Sequence, residues 1–297
     1  RASECCVLYR SHFHAMELQM ELAREQVPYV VTSGVRFFEQ AHIKDCCSVL
    51  RLIANPADGL AFSRLVELFP KVGAKTAQKI FAKLGGRANV LHGETLEQLG
   101  SLLPAAAQES WQAIKPIFVA YREEKLEEDP GEVIFRFNKA FYGAYMAETF
   151  ENHRFRGEDV DGLIDFTVKF ESVENFLAEV ALLTNLDTDA AAKAEQTADE
   201  HILRLSTVHQ AKGLEWKAVF VLFVNEEMFP SKKTVEEQGD SEERRLFYVA
   251  VTRAEDHLYL CAPMVRRQRD GGIQFLDPSR FIEEIPDEFL VEEKGFF

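Results

Sequence analysis

HILRLSTVHQAKGLEWKAVFVLFV, residues 201–224, is the stretch whose reading decides the fold. From His201 to Ser206 apolar and polar residues alternate, the period of a half-buried strand. Val219 to Val224 is an unbroken apolar run, as in a parallel strand buried on both faces. Between them, Thr207 to Glu215 brings together hydroxyl, imidazole, ammonium and carboxylate groups. A loop opening a helix there would turn amides and hydroxyls toward phosphate oxygens. The same residues read equally well as a capped helix start with solvated charges.

Working outward, Cys6-Val7-Leu8-Tyr9-Arg10 predicts a strand, and Ser11 is a helix N-cap candidate. The helix is expected over Ser11 to Glu25, with Met16, Met20 and Ala23 as core candidates and Pro28 at its exit. Tyr29-Val30-Val31 predicts a second strand, broken at Gly34, and His42 to Ala54 a helix ending near Asn55-Pro56. From 57 to 197 the pattern is helical, with breaks at Pro70, Gly85-Gly86, Pro104 and Asp129-Pro130-Gly131. Strand signals return after Ala198 and again at His257 to Ala262, and Pro278 to Ile285 predicts a last helix. The expected fold is α/β, a mostly parallel sheet with helices on both faces, formed by 1–56 plus 198–297 and interrupted by an all-helical domain at 57–197.

The composition is globular, with 297 residues, 46% hydrophobic and 28% charged. No apolar run reaches the roughly 20 residues of a membrane span, and no signal-peptide pattern opens the chain, so a cytoplasmic protein without a membrane partner is expected. Five cysteines without CxxC spacing predict reduced thiols and no metal site. The net charge of −15 argues against a broad electrostatic grip on nucleic acid and leaves room only for a narrow track of phosphate contacts.

A second block, EERRLFYVAVTRA at 242–254, sets apolar residues at helical spacing between arginines. Guanidinium stays charged and forks onto phosphate oxygens, which suits Arg253 to such a role. Arg244 and Arg245, taken singly, read as ion-pair partners of nearby acids.

These strings resemble a known family. TVHQAKGLEW (207–216) is similar to motif V and EERRLFYVAVTRA to motif VI of the UvrD/PcrA/Rep-type superfamily 1 DNA helicases. VLYRS (7–11) resembles motif IV, and SGVRFFEQAHIKD (33–45) the glycine-aromatic stretch beside it. FESVENFLAEVALLTNLD (170–187) and NEEMFP (225–230) extend the likeness in the same order. The resemblance implies a RecA-like motor domain, called 2A in the family, with a helical 2B insertion. It also implies that Tyr9 stacks on adenine, that Arg10 and Arg253 are arginine fingers on the γ-phosphate, and that Glu215 binds the nucleotide sugar. Thr207, His209 and Lys212 become contacts to single-stranded DNA, with an ion pair as the other reading of Lys212. Tyr248 reads equally as a helix-packing residue. ATP and Mg²⁺ are the implied cofactors, and stepping 3′ to 5′ the implied direction.

Within the helical stretch, LFPKVGAKTAQKI (68–80) is similar to a helix-hairpin-helix turn, with Lys71 where many such turns carry glycine. Val72, Gly73 and Lys75 are its candidate contacts to a duplex junction. Gly73-Ala74-Lys75-Thr76 fails as a P-loop, and no GxxxxGK[ST] string occurs. The ATP cradle is therefore expected from N-terminal motor domains outside this chain, and the chain alone is expected to be inactive. Two rival readings stand beside this one. The first is a non-catalytic DNA- or protein-binding module on a helicase-like fold, and the second is part of a helicase-nuclease.

Overall fold

The first strand is buried on both faces, and the alternation of its side chains between them sets the layers. In the computed structural model, which describes residues 1–32, 35–196, 198–267 and 272–293, the elements run β1 (Cys5–Tyr9), α1 (Met16–Arg24), β2 (Tyr29–Val31), α2 (Ala41–Ala54), α3 (Gly59–Val66), α4 (Ala74–Lys83), α5 (Gly93–Leu102), α6 (Gln108–Glu123), α7 (Pro130–Phe137), α8 (Gly143–Thr149), α9 (His153–Thr167), α10 (Val173–Gln196), β3 (Leu203–Thr207), β4 (Trp216–Val221), α11 (Lys232–Gln238), α12 (Ser241–Val251), β5 (Ala254–Leu260), β6 (Val265–Arg267), β7 (Ile273–Phe275) and α13 (Arg280–Glu283). Gly34, expected to break the second strand, lies outside the described residues. The chain forms two compact units, one of residues 1–36 with those from 186 onward, the other of Phe37–Asn185.

In the first unit five strands pair in the order β2-β3-β1-β4-β5, all parallel. Cys6 and Leu8 face one core with Val208, Val219, Val221, Phe229, Phe247 and Phe281. Val7 and Tyr9 face the other with Ala15, Ala23, Tyr29, Val31 and Leu205. Successive strand residues point to opposite faces, so α12 covers the first face and α1 the second. Each apolar side chain fully buried in this way contributes about 1.5–3 kcal/mol against the entropy of ordering it. β6 and β7 form a separate antiparallel pair.

Two expectations shift in register. The apolar run Val219–Val224 was expected as the strand, but β4 is Trp216–Val221, because Phe223 takes a left-handed φ of 53° and ends it. Along α1, Met16 and Ala23 are buried as expected, while Gln19 is buried and Met20 is only partly so.

The second unit is helical throughout its described residues. α2 packs against α3, α7 and α9 of that unit. It buries Ile43, Cys46, Cys47, Val49, Leu50, Leu52 and Ile53. Its Asp45 carboxylate accepts from the Tyr142 hydroxyl at 2.6 Å and from Arg64 Nη1 at 2.7 Å. These contacts assign α2 to this unit, which starts at Phe37 and ends at Asn185, where the sequence reading set 57 and 197. All five cysteines are free thiols. No helix among the described residues is long and apolar enough to cross a membrane.

Candidate functional site

The end of β3 and the segment between it and β4 carry four of the candidate side chains. It was expected to open a helix, but it is a run of turns: Gln210 and Ala211 N–H both donate to Thr207 O at 3.1 Å, and Leu214 N–H donates to Ala211 O at 3.0 Å. Gly213, at a φ of 86°, diverts the chain before helical hydrogen bonding can continue. β3 and β4 are parallel, so the segment must cross the sheet, from the edge where strands end to the edge where they begin. Thr207 and His209 stand at the first edge, Glu215 at the second.

Arg253 immediately precedes β5 and shares that second edge. Its N–H groups reach neutral acceptors only: Nε donates to Val249 O at 3.0 Å, Nη1 to Leu214 O at 2.8 Å and Nη2 to Thr252 Oγ1 at 3.0 Å. Its carbonyl accepts from Trp216 N–H at 2.9 Å, so bonds to Leu214 and Trp216 bracket Glu215 beside it. Glu215 and Lys212 are exposed, and neither has a side-chain partner among the described residues. The ion-pair alternative for Lys212 is therefore not realised. Guanidinium has five N–H donors, so among the described residues Arg253 is held by three and keeps two, with no carboxylate paired to its charge.

Arg10 lies elsewhere. It follows β1 at the edge where strands end, on the order of 15 Å along the strand direction from the Arg253 edge. It is 3% exposed. Glu243, 2% exposed in the first turn of α12, accepts its Nε at 3.0 and 3.1 Å and its Nη2 at 2.7 Å. Thr234 Oγ1 accepts Nη2 at 3.3 Å, and the second oxygen of Glu243 accepts Ser231 N–H at 3.0 Å. The structure thus does not bring the two expected fingers together. Arg10 is enclosed by a carboxylate at the opposite edge from Arg253. Tyr9 is likewise enclosed: its ring is fully buried between β1, α1 and β2 and offers no face to adenine.

Thr207, Val208 and His209 lie beside Arg10, with Val208 N–H donating to Tyr9 O at 3.0 Å. His209 is exposed, yet its pKa is lowered, first by desolvation and then by the Arg10 charge, with Glu243 and Glu242 opposing. At neutral pH it presents an uncharged imidazole at this edge. Arg244 pairs with Glu284 and with Asp240 at 3.1 Å, and Arg245 with Glu242 at 3.0 Å, as the local acids implied. Tyr248 is 68% exposed, which removes the packing alternative. Glu243 was missed, since nothing in the spacing of EERR sets it apart from Glu242. Among the described residues no group of three or more His, Cys, Asp or Glu could hold a metal ion.

In the other unit, α3 and α4 form the two arms of the hairpin. Lys71 adopts a φ of 63° at the position where glycine is usual, and Gly73 is the N-cap of α4. Val72 is withdrawn as a contact, because its side chain is buried and its amide donates to Phe69 O at 3.2 Å. The first-turn amides of Ala74 and Lys75 have no acceptor within the helix. Lys71, Lys75, Lys79, Lys83 and Arg87 are exposed, form no ion pair among the described residues, and meet no acid in sequence between Glu67 and Glu94.

The family model for the UvrD-like helicase C-terminal domain matches residues 1–263. The ATP-dependent DNA helicase PcrA of Bacillus subtilis (strain 168) is 31% identical over 304 residues, which take in 98% of this chain and 40% of that protein. DNA helicase II of Escherichia coli (strain K12) is 33% identical over 315 residues, and that of Haemophilus influenzae 32% over 321, each covering 98% of this chain and 41% of the relative. The chain spans about two fifths of the length of these relatives.

Proposed function

Because the chain belongs to the UvrD-like helicase C-terminal domain family, we propose that it is the part of an ATP-dependent DNA helicase that completes the motor, moving 3′ to 5′ on single-stranded DNA. The observation that carries this reading is Arg253, a guanidinium anchored by three neutral acceptors, with two donors to spare and no counter-charge among the described residues. Such a group is ready for an anion that arrives from outside the chain. ATP held by N-terminal motor domains would bring its γ-phosphate there, where a fixed positive charge stabilises the charge developing in phosphoryl transfer. Glu215, open and bracketed by bonds to Arg253, fits a nucleotide hydroxyl. Mg²⁺, which rides on the ATP phosphates with one or two carboxylates, is assigned with ATP to the N-terminal domains. Thr207 and His209, at the opposite edge, would meet the DNA backbone, and the 2A and 2B names are proposed for the two units.

The test is DNA-stimulated ATP hydrolysis by the full-length protein carrying this chain, with Arg253→Ala compared at matched DNA occupancy on substrates tailed at either end. Turnover is expected to drop by about 10³–10⁵-fold with little change in DNA affinity. Equal turnover would remove Arg253 from the mechanism, and unwinding from the opposite tail would reverse the direction.

The basic face of α4 supports a duplex contact by the hairpin, through Gly73, Lys75 and the lysines beyond, in a chain that is otherwise acidic. Lys75→Ala is expected to weaken duplex binding uniformly across sequences and to flatten the salt dependence of log affinity by about one unit. An unchanged salt slope would leave the turn a purely interhelical one.

A further inference from the structure

Arg10 and Glu243 form the most enclosed ion pair of the first unit, and neither touches the nucleotide edge. They stand directly behind the turn that carries Thr207 and His209. The Arg10 charge lowers the His209 pKa, and the β1 carbonyl of Tyr9 accepts from Val208 N–H. Glu243 belongs to the first turn of α12, and Arg253 follows two residues after its last. With 11 residues at about 1.5 Å each, α12 spans about 16 Å, from one edge of the sheet to the other. Its buried Leu246, Phe247 and Ala250 pack on the sheet, so it moves with whatever holds its first turn.

We infer that Glu243 is a positioning residue that couples the DNA-facing edge to Arg253, by clamping Arg10 to the start of α12. This rests on the motor reading above. The clamp is a fork on a fork: Nε and Nη2 meet the carboxylate together, which fixes distance and plane at once. The second carboxylate oxygen also holds the Ser231 amide, so the loop before α11 is tied to the same point. A displacement of the β1 and β3 exits when DNA engages Thr207 and His209 is carried by this clamp to α12, and along α12 to Arg253. The clamp contacts neither ATP nor DNA. It therefore governs how far DNA binding accelerates hydrolysis, and leaves hydrolysis without DNA in place.

The experiment measures ATP turnover of the full-length protein with and without saturating single-stranded DNA, in the native chain, Glu243→Gln and Arg10→Lys. Arg10→Lys keeps the charge and loses the fork, so it serves if Glu243→Gln does not fold. Expected is DNA-free turnover within about twofold of native, and a stimulation factor reduced by about 5- to 150-fold, the usual range of coupling between sites. An unchanged stimulation factor would overturn the proposal, as would an equal loss with and without DNA, which marks a purely structural pair. Arg253→Ala separates the two readings. If it turns over like the native protein the finger role of Arg253 fails by itself, whereas a native stimulation factor in Glu243→Gln beside an inactive Arg253→Ala sinks only the coupling.

Discussion

The turn segment 208–215 and the first turn of α12 are built from the same charged groups and treat them in opposite ways. In the turn segment, Lys212 and Glu215 are exposed and have no side-chain partner among the described residues. In α12, Glu242, Glu243, Arg244 and Arg245 are all paired, two of them with each other. Charges that the protein neutralises itself are there for architecture. Charges left open, together with Arg253 on its neutral acceptors, are the ones for which we propose that a ligand supplies the missing half. Motif resemblance alone does not draw this line, because both blocks lie within the residues that the family model matches.

The largest effect that this contrast predicts is on stability. Glu243→Ala strands the Arg10 charge in a site that is 3% exposed, and should destabilise the chain by about 3–5 kcal/mol. Lys212→Ala and Glu215→Ala should each stay within about 0.5 kcal/mol, as exposed substitutions generally do. Urea unfolding of the 297-residue chain measures both arms. Comparable losses at Glu243 and Glu215 would break the distinction between architectural and open charges.

How much of this was legible depended on how far the information reached along the chain. β2 and the positions of β1 and β3 followed from local alternation and apolar runs, and Asp240 beside Arg244 and Glu242 beside Arg245 were legible because they stand four and three residues away, whereas Glu284, the other partner of Arg244, was not. The Arg10 partner lies 233 residues on, and no periodicity reports a pairing made by tertiary closure. The same gap hides the burial of Tyr9 and Arg10: a short motif names side chains without saying at which edge of the sheet they emerge or how far they are enclosed. Register along β4 was lost for a different reason. An apolar run shows that a strand is buried, but the left-handed Phe223 that ends it carries no mark in hydropathy.

The two histidines near Arg10 sharpen the contrast through pH, with a smaller effect. His209 is on the open side, whereas His14 is 3% exposed, with Phe13 and Phe223 rings 4.2 and 5.0 Å away and neither ring nitrogen hydrogen-bonded. Burial, then the charges of Arg10 and Arg266, lowers its pKa from 6.5 to about 3. Between those values the unfolded chain binds a proton that the folded chain refuses. Stability contributed by the neutral ring is therefore complete above pH 6.5, declines as pH falls below it, and stops declining near pH 3. Against His14→Leu, which cannot titrate, the native chain should lose on the order of 1.4 kcal/mol per pH unit within that window, read as the difference between two urea midpoints at each pH. A difference independent of pH would mean that His14 accepts its proton while folded, and would place it with His209 on the open side of the comparison.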